Sequence, residues 1–382
     1  MLVKKLRALG VALMMGTVTV AGLGLLTAQQ AQAAVRSSVG RPLQAALAAA
    51  AAGNYSAAMA HVHEAESVGG LTGEEQSTIS KMKDYISVKS GGSVGVSDSL
   101  GAQAKFDTDY RAGRFRDAIN DEDLLRKYGA LNGTNVVVIG QAYYRMGDYK
   151  GCVRYASEHS GMGQDILELQ MRCAYETHDD NDMRGAVEQL VATTGKPEYW
   201  NQLLKLAERS KGLSDHQTLD IYRIKYLTGS LTGADDYFTL AQLAIQFGYA
   251  AEAQSVVQKG MAVKILVDSR AQRLLGLANS SYSADLAGLP RQVAAANAAK
   301  NGDLLVKLGE DYCGMGRYAD AVKAVEAGIA KGVSDPDNAQ IRLGQALYGA
   351  GQKDAALRAF AKTTTPNGQT TAHLWSLYVR GH

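Results

Sequence analysis

Three short motifs in this chain have residue types that could do chemistry. The first, Gly91-x-Ser93-x-Gly95, matches the nucleophile elbow of serine hydrolases letter for letter. That motif works only on a strained turn between a strand and a helix, with Asp and His partners downstream. Here it sits in the run SGGSVGVS, which is flexible linker chemistry with no strand before it, so it reads as a chance match. The second, His61-x-His63-Glu64, offers metal-ligand types, but two residues two apart on a helix face different directions. It reads as a solvated pair. The third, Asp179-Asp180-Asn181-Asp182, could touch Ca²⁺. It lacks the spacing of an EF-hand, with Arg184 at a ligand place and Val191 where the bidentate Glu belongs. A solvated turn between helices is the main reading, and a weak cation site the alternative. HExxH, a P-loop and a dinucleotide fingerprint are all missing, so no enzyme, cofactor or metal site is expected.

The elements that carry these motifs are set by a spaced pattern of small and apolar residues. Around residues 308–321 (LGEDYCGMGRYADA), Leu308-Gly309, Tyr312, Gly316, Tyr318 and Ala321 form the set. It recurs as Ile139-Gly140, Tyr143, Gly147, Tyr149 and Cys152, and as Leu343-Gly344, Leu347, Gly351, Lys353 and Ala356. A turn residue, a larger residue two later and a small one five later also occur at Gly53/Tyr55/Ala58, Gly113/Phe115/Ala118, Asn181/Met183/Ala186 and Gly248/Ala250/Ala253. From 113 onward the spacings are 34, 34, 67, 68 and 35. Each long gap is near twice 34 and predicts a degenerate repeat, one over 199–227, where Trp200 and Leu203 keep a W-x-x-L opening, and one over 266–299. One such unit is a helix, a Gly turn and a second helix.

This pattern resembles the tetratricopeptide repeat (TPR), clearly over about 100–361 and more loosely over 40–66. The resemblance implies an all-α fold, an α-α superhelical solenoid of TPR-like helical hairpins. It also implies that first helices line an inner groove, where peptide ligands meet the residues three, two and six before the turn. Three before gives Tyr110, Tyr144, His178, Ile245, Cys313 and Tyr348. Two before gives Arg111 and Arg145, then Asp179, Gln246, Gly314 and Gly349; six before gives Asp107, Gln141, Tyr175, Gln242, Glu310 and Gln345. The partner-binding candidates are Asp107, Tyr110, Arg111, Gln141, Tyr144, Arg145, Tyr175, Gln242, Gln345 and Tyr348. The Tyr-Arg pair repeated 34 residues apart suits a carboxylate-bearing or extended peptide, because Arg pairs carboxylates bidentately and both types are frequent at binding hot spots. The alternative is that these side chains pack between neighbouring first helices. The family's usual grip on an acidic C-terminus adds Lys and Asn at several of these places, and only the arginines are present here.

The chain opens MLVKKLRALG, runs apolar over 11–26 and reaches Ala31-Gln32-Ala33: a secretory signal peptide of bacterial type, expected to be cleaved after Ala33. Removing it takes away Lys4, Lys5 and Arg7, so the formal charge moves from +2 to −1. No basic face for nucleic acid or an anionic membrane remains, and no membrane insertion is expected after cleavage. The expected order is the signal peptide (1–33), an N-terminal helical segment (34–90), a Gly/Ser linker (91–99), the repeat array (100–361) and a C-terminal capping helix (362–382). Within these, Thr72 and Glu75 form a capping box, and the β-branched stretch NVVVI at 135–139 is assigned to a helix on repeat phase despite its strand propensity. All five prolines fall at expected helix starts or connections. Cys152 and Cys173 occupy neighbouring consensus slots and read as small buried apolar residues, with a disulfide as the alternative.

The function these features suggest is a non-enzymatic scaffold or adaptor of the bacterial envelope, periplasmic or secreted, that binds a protein or peptide. The alternative is an accessory protein of cell-wall or polysaccharide assembly that binds glycan through its tyrosines or an envelope enzyme. Self-association through an exposed solenoid end is a third possibility.

Overall fold

In the computed structural model the described residues are 35–90 and 98–382, and they form two compact units divided at Asp148. The expected signal peptide, most of the expected Gly/Ser linker and the Gly91-x-Ser93-x-Gly95 match lie outside the described residues. Among the described residues every regular element is helical.

The first unit begins with α1 (Ser37–Ala51) and α2 (Tyr55–Glu66). Val39, Leu43, Ala46 and Ala50 recur on one face of α1 and are buried against α2. Asn54 caps α2 by accepting from the Ala57 N–H. The helix α3 (Gly73–Lys89) starts on the expected capping box of Thr72 and Glu75. The Glu75 carboxylate is also gripped by Arg36 through Nε and Nη2, each at 2.8 Å. That guanidinium, with the Thr72 N–H, holds the Glu75 carboxyl down at about 2. Next come α4 (Ser99–Arg111), α5 (Phe115–Asn120), α6 (Glu122–Lys127) and α7 (Gly133–Arg145). The second helix of this repeat is divided at Asp121, whose buried carboxylate is tied with Asp109 to Lys105. Burial pushes the Asp121 carboxyl up to about 6. The NVVVI stretch lies inside α7, so repeat phase outweighs β-propensity there.

The second unit runs through α8 (Tyr149–Glu158), α9 (Gln164–Thr177), α10 (Asp180–Thr194), α11 (Pro197–Glu208) and α12 (Asp215–Leu227). It continues with α13 (Ala234–Gln246), α14 (Ala250–Ala262), α15 (Ser269–Ala298), α16 (Asp303–Gly314) and α17 (Tyr318–Lys331). It closes with α18 (Pro336–Gly349), α19 (Lys353–Phe360) and α20 (Pro366–Gly381).

The repeat pattern has a direct physical meaning in these helices. The turn glycines Gly53, Gly113, Gly147, Gly248, Gly316 and Gly351 have φ between 72° and 79°, a region open to Gly without steric cost. The small residues five later, from Ala58 through Ala356 and including Cys152 and Ala186, are all 0 % exposed. A larger side chain in any of these slots would push a helix pair apart. Gly344 is the small residue at a helix crossing: a Cβ there would lie 2.3 Å from Phe360 Cε1.

Six expectations need correction. Asn181 is not a turn residue; it lies inside α10, and the left-handed position is His178, at φ 55°. Asp179 caps α10, accepting from the Asn181 and Asp182 N–H groups, so the acidic run is a helix start. The 199–227 segment does form a hairpin, α11 and α12, but 266–299 does not: most of it is the single helix α15. Pro42 and Pro290 lie inside helices. The carbonyls their missing N–H groups would have bonded belong to Ser38 and Leu286, both exposed to water, which limits the cost. Cys152 and Cys173 form a disulfide, joining α8 to α9 with their Cα atoms 6.0 Å apart. Finally, α20 does more than cover the last hairpin. Trp375 stacks on Phe360, but Tyr378 packs edge-on against Trp200 of α11, and Asn367 donates to the Lys211 and Gly212 carbonyls. The α11–α12 hairpin and the C-terminal helices therefore share one core.

Candidate functional site

In the first unit, α4 and α7 are successive first helices, and polar side chains join them in register. Gln103 and Asn135 are joined by a hydrogen bond at 2.8 Å, and about two helical turns further along the same pair of helices the Tyr110 hydroxyl donates to Gln141 Oε1 at 3.2 Å. Tyr110 also stands edge-on to Phe115, with ring centroids 5.5 Å apart. Burial raises the Tyr110 hydroxyl pKa, while the nearby Arg145 guanidinium pulls it the other way. Tyr144 is half-buried, and Arg111 and Arg145 are exposed at the ends of α4 and α7. Asp107 accepts from Gln103 Nε2 at 2.8 Å and meets Lys89 of α3 at 3.4 Å. Six of the candidate residues (Asp107, Tyr110, Arg111, Gln141, Tyr144 and Arg145) thus lie on two neighbouring helices.

The other four, in the second unit, do not assemble into one face. Tyr175 on α9 is exposed and edge-on to His178, and Gln242 on α13 is exposed. Tyr348 packs edge-on to Tyr378 of α20 at 5.5 Å. Gln345 is taken up in a buried ionic cluster: its Nε2 donates to Asp220 Oδ1 at 2.6 Å, and its Oε1 accepts from Arg342 at 2.9 Å.

That cluster was not legible in the sequence. Arg342 of α18 is 1 % exposed and donates to both oxygens of Asp220 on α12, the Nη2–Oδ2 distance being 3.0 Å. Its Nε lies 2.8 Å from Glu310 Oε1 as a charge contact whose angle is not that of a hydrogen bond. Arg223 of α12 grips Glu252 of α14 bidentately at 2.8 and 2.7 Å and reaches Glu310 at 3.3 Å. Burial alone would lower both arginines, but Asp220, Glu252 and Glu310 outweigh it and keep them charged. The Tyr249 hydroxyl donates to Glu310 Oε2. Burial, reinforced by that carboxylate, drives its pKa upward. The half-buried Cys313 is pushed up to about 12 by burial, which leaves an unreactive thiol.

Above this cluster lies a cavity of about 400 Å³. One wall is His216 stacked on Phe247, ring centroids 3.9 Å apart, with Tyr249 beyond. Burial lowers the His216 pKa, so its ring is neutral at pH 7. Lys307 and Val306 of α16 form another side, and Glu310 lies at the floor. The rim is built from two helix starts. Asp303 at the start of α16 accepts from the Ser334 N–H at 2.8 Å and from its hydroxyl at 2.5 Å. Asp335 caps α18 by accepting from the Asn338 N–H at 2.9 Å. The Ser334 hydroxyl, then its N–H, holds the Asp303 carboxyl below the usual range. Gln246 and Glu310 occupy positions equivalent to the first-helix candidates, which is the one sequence signal that pointed here.

His61 and His63 each meet a separate carboxylate, Glu64 and Glu66, both at 2.9 Å. Among the described residues no cluster of three or more His, Cys, Asp or Glu side chains could hold a metal ion. No helix among them is long and apolar enough to cross a membrane.

No protein-family model matches the chain, and no curated protein matches it. Among solved structures it is similar to that of Naa15/Naa10 bound to HypK-THB, at 13 % identity and a TM-score of 0.31. That match covers 91 % of this chain and 61 % of the other, so this chain spans less than two thirds of its length. It is also similar to the P58(IPK) TPR domain (9 % identity, TM-score 0.24, covering 89 % and 98 %). A third is the APC/C hetero-tetramer Cut9-Hcn1 (11 % identity, TM-score 0.24, covering 90 % and 68 %). The fold is TPR-like. The repeated turn glycines and fully buried small slots carry that statement residue by residue.

Proposed function

We propose that this TPR-like protein is an exported, non-enzymatic scaffold that binds a protein or peptide on the first-helix face of α4 and α7. The supporting observation is the Tyr110–Gln141 hydrogen bond between α4 and α7, the two helices that carry the Tyr-Arg pairs, with Arg111 and Arg145 both exposed. Two guanidinium groups beside two phenol rings favour an extended, carboxylate-bearing segment, since guanidinium pairs with carboxylate through two parallel hydrogen bonds. Export is supported by the leader chemistry and by the Cys152–Cys173 disulfide, a bond that persists in oxidising compartments.

The test is affinity capture from an envelope extract with the mature chain beside an Arg111→Glu/Arg145→Glu variant. The expected result is a protein held by the wild type and lost from the variant, with the helical circular dichroism of the two proteins equal. A partner retained by both would refute the groove assignment. Cell-wall glycan co-sedimenting with no protein partner would replace the reading with a glycan-binding one.

A further inference from the structure

We infer that the second unit carries a separate binding site, the cavity between the α13–α14 turn, α16 and the start of α18, and that its ligand bears a guanidinium group, as an arginine side chain does. Volume is the first argument: about 400 Å³ lies within the range of small-ligand clefts and exceeds the needs of one ordered water. Charge is the second. The rim places Asp303 and Asp335 together, because Ser334, next to Asp335 in the chain, is bonded to Asp303 through both its N–H and its hydroxyl. The ionic cluster around Glu310 beneath has two guanidinium groups against three carboxylates, so it adds no positive charge. Lys307 is the one cation in the lining, and its ammonium is already held by both oxygens of Asp311 at 3.2 Å. Shape is the third. The stacked His216–Phe247 pair offers a flat face with a neutral imidazole, which accepts a planar cation by stacking, and two carboxylates at the rim suit a forked donor better than a point charge. This site is independent of the α4–α7 face and prefers the opposite charge.

The experiment is calorimetric titration of the full mature chain with the blocked tripeptide acetyl-Ala-Arg-Ala-amide, with the citrulline tripeptide as the uncharged isostere. Asp335→Asn is the decisive variant, because Asn caps a helix as well as Asp while removing the charge. Binding of the arginine peptide, a loss of about tenfold or more with citrulline, and a similar loss in Asp335→Asn at unchanged Tm are expected. Equal affinity for arginine and citrulline, no binding of the arginine peptide, or full affinity in Asp335→Asn would overturn the assignment. Arginine amide run alongside identifies the source. Equal affinity assigns the site to a lone side chain and tighter tripeptide binding to a peptide, and both support the guanidinium reading. A failure here leaves the Arg111/Arg145 capture result untouched.

Discussion

Replacing Arg342 by Met tests whether the buried ionic cluster holds the second unit together. Arg342 is 1 % exposed, as is its partner Asp220, and the two come from helices 122 residues apart in sequence. In the wild type two guanidinium groups face three carboxylates. Arg342→Met leaves one guanidinium for all three, so the apolar replacement does not compensate: Asp220 and Glu310 remain buried with too little counter-charge. Removing one member of such a cluster costs about 3–5 kcal/mol. Asp220→Asn acts differently, because it leaves two guanidinium groups against two carboxylates. Its cost is about 1.5–3 kcal/mol, that of a charge-assisted hydrogen bond lost without net charge being stranded.

The assay is urea denaturation followed by tryptophan fluorescence. The chain has two tryptophans, Trp200 and Trp375, both buried in the second unit's core, so the signal reports that unit. A urea m-value of about 2–3 kcal/mol/M converts the Arg342→Met loss into a midpoint fall of about 1–2.5 M. The pH dependence is the stricter test. Stranded carboxylates have folded-state pKa values raised above their unfolded ones, so their relative stability is full below the unfolded value and lost as pH rises through the folded one. The Arg342→Met deficit must therefore shrink as the pH falls from about 7.5 to about 5, and the Asp220→Asn deficit must not follow it. Equal losses in the two variants, or a pH-independent Arg342→Met loss, would refute the charge count.

The remaining predictions concern separate contacts. The Cys152–Cys173 bond closes a loop with a sequence separation of 21, so removing it is expected to cost about 3 kcal/mol by chain entropy; thiol titration in denaturant without reductant should find Cys313 alone, and all three cysteines reacting would refute the bond. His373 is raised by the hydrogen bond its Nε2–H donates to the Glu188 carboxylate at 3.2 Å. That stabilisation is full below a pH of about 6.5 and fades as the pH rises through the raised value, so Glu188→Gln should lower Tm at about pH 5.5 and leave it unchanged at about pH 8.5. Gly344→Ala puts a Cβ 2.3 Å from the Phe360 ring and should cost about 1–3 kcal/mol by overpacking, whereas Gly351→Ala meets no atom and should cost only the strain of its left-handed backbone. A neutral Gly344→Ala in the urea assay would show that the α18–α19 crossing is looser than described.

What the sequence made legible is what repeats. A turn glycine and a small buried residue five later serve the same steric purpose in each hairpin, so their phase is visible without a structure and even overrides a β-branched run at NVVVI. The same logic placed Tyr110, Gln141 and the two arginines on neighbouring helices. It misplaced Asn181, because an Asp cap and a left-handed His178 close that turn without glycine.

What stayed hidden about the second unit's interior traces to one place. The α15 segment has helical periodicity and no turn chemistry, and with Ala271, Ala278 and Ala296 as its buried residues it has no hairpin face to pack, so it continues as one helix where two were expected. That departure coincides with the return of the C-terminal helices onto α11 and α12, which repeat phase alone does not encode. An unbroken train of hairpins would give Arg342 its nearest neighbours from the adjacent repeats; here its strongest partner is Asp220, 122 residues earlier. Gln345 and Tyr348 hold what the repeat pattern makes groove positions. The return covers those positions, turning Gln345 into a member of the ionic cluster and Tyr348 into a contact of α20. The fold of each hairpin is thus local in origin, while the chemistry of the second unit's interior depends on which hairpins meet.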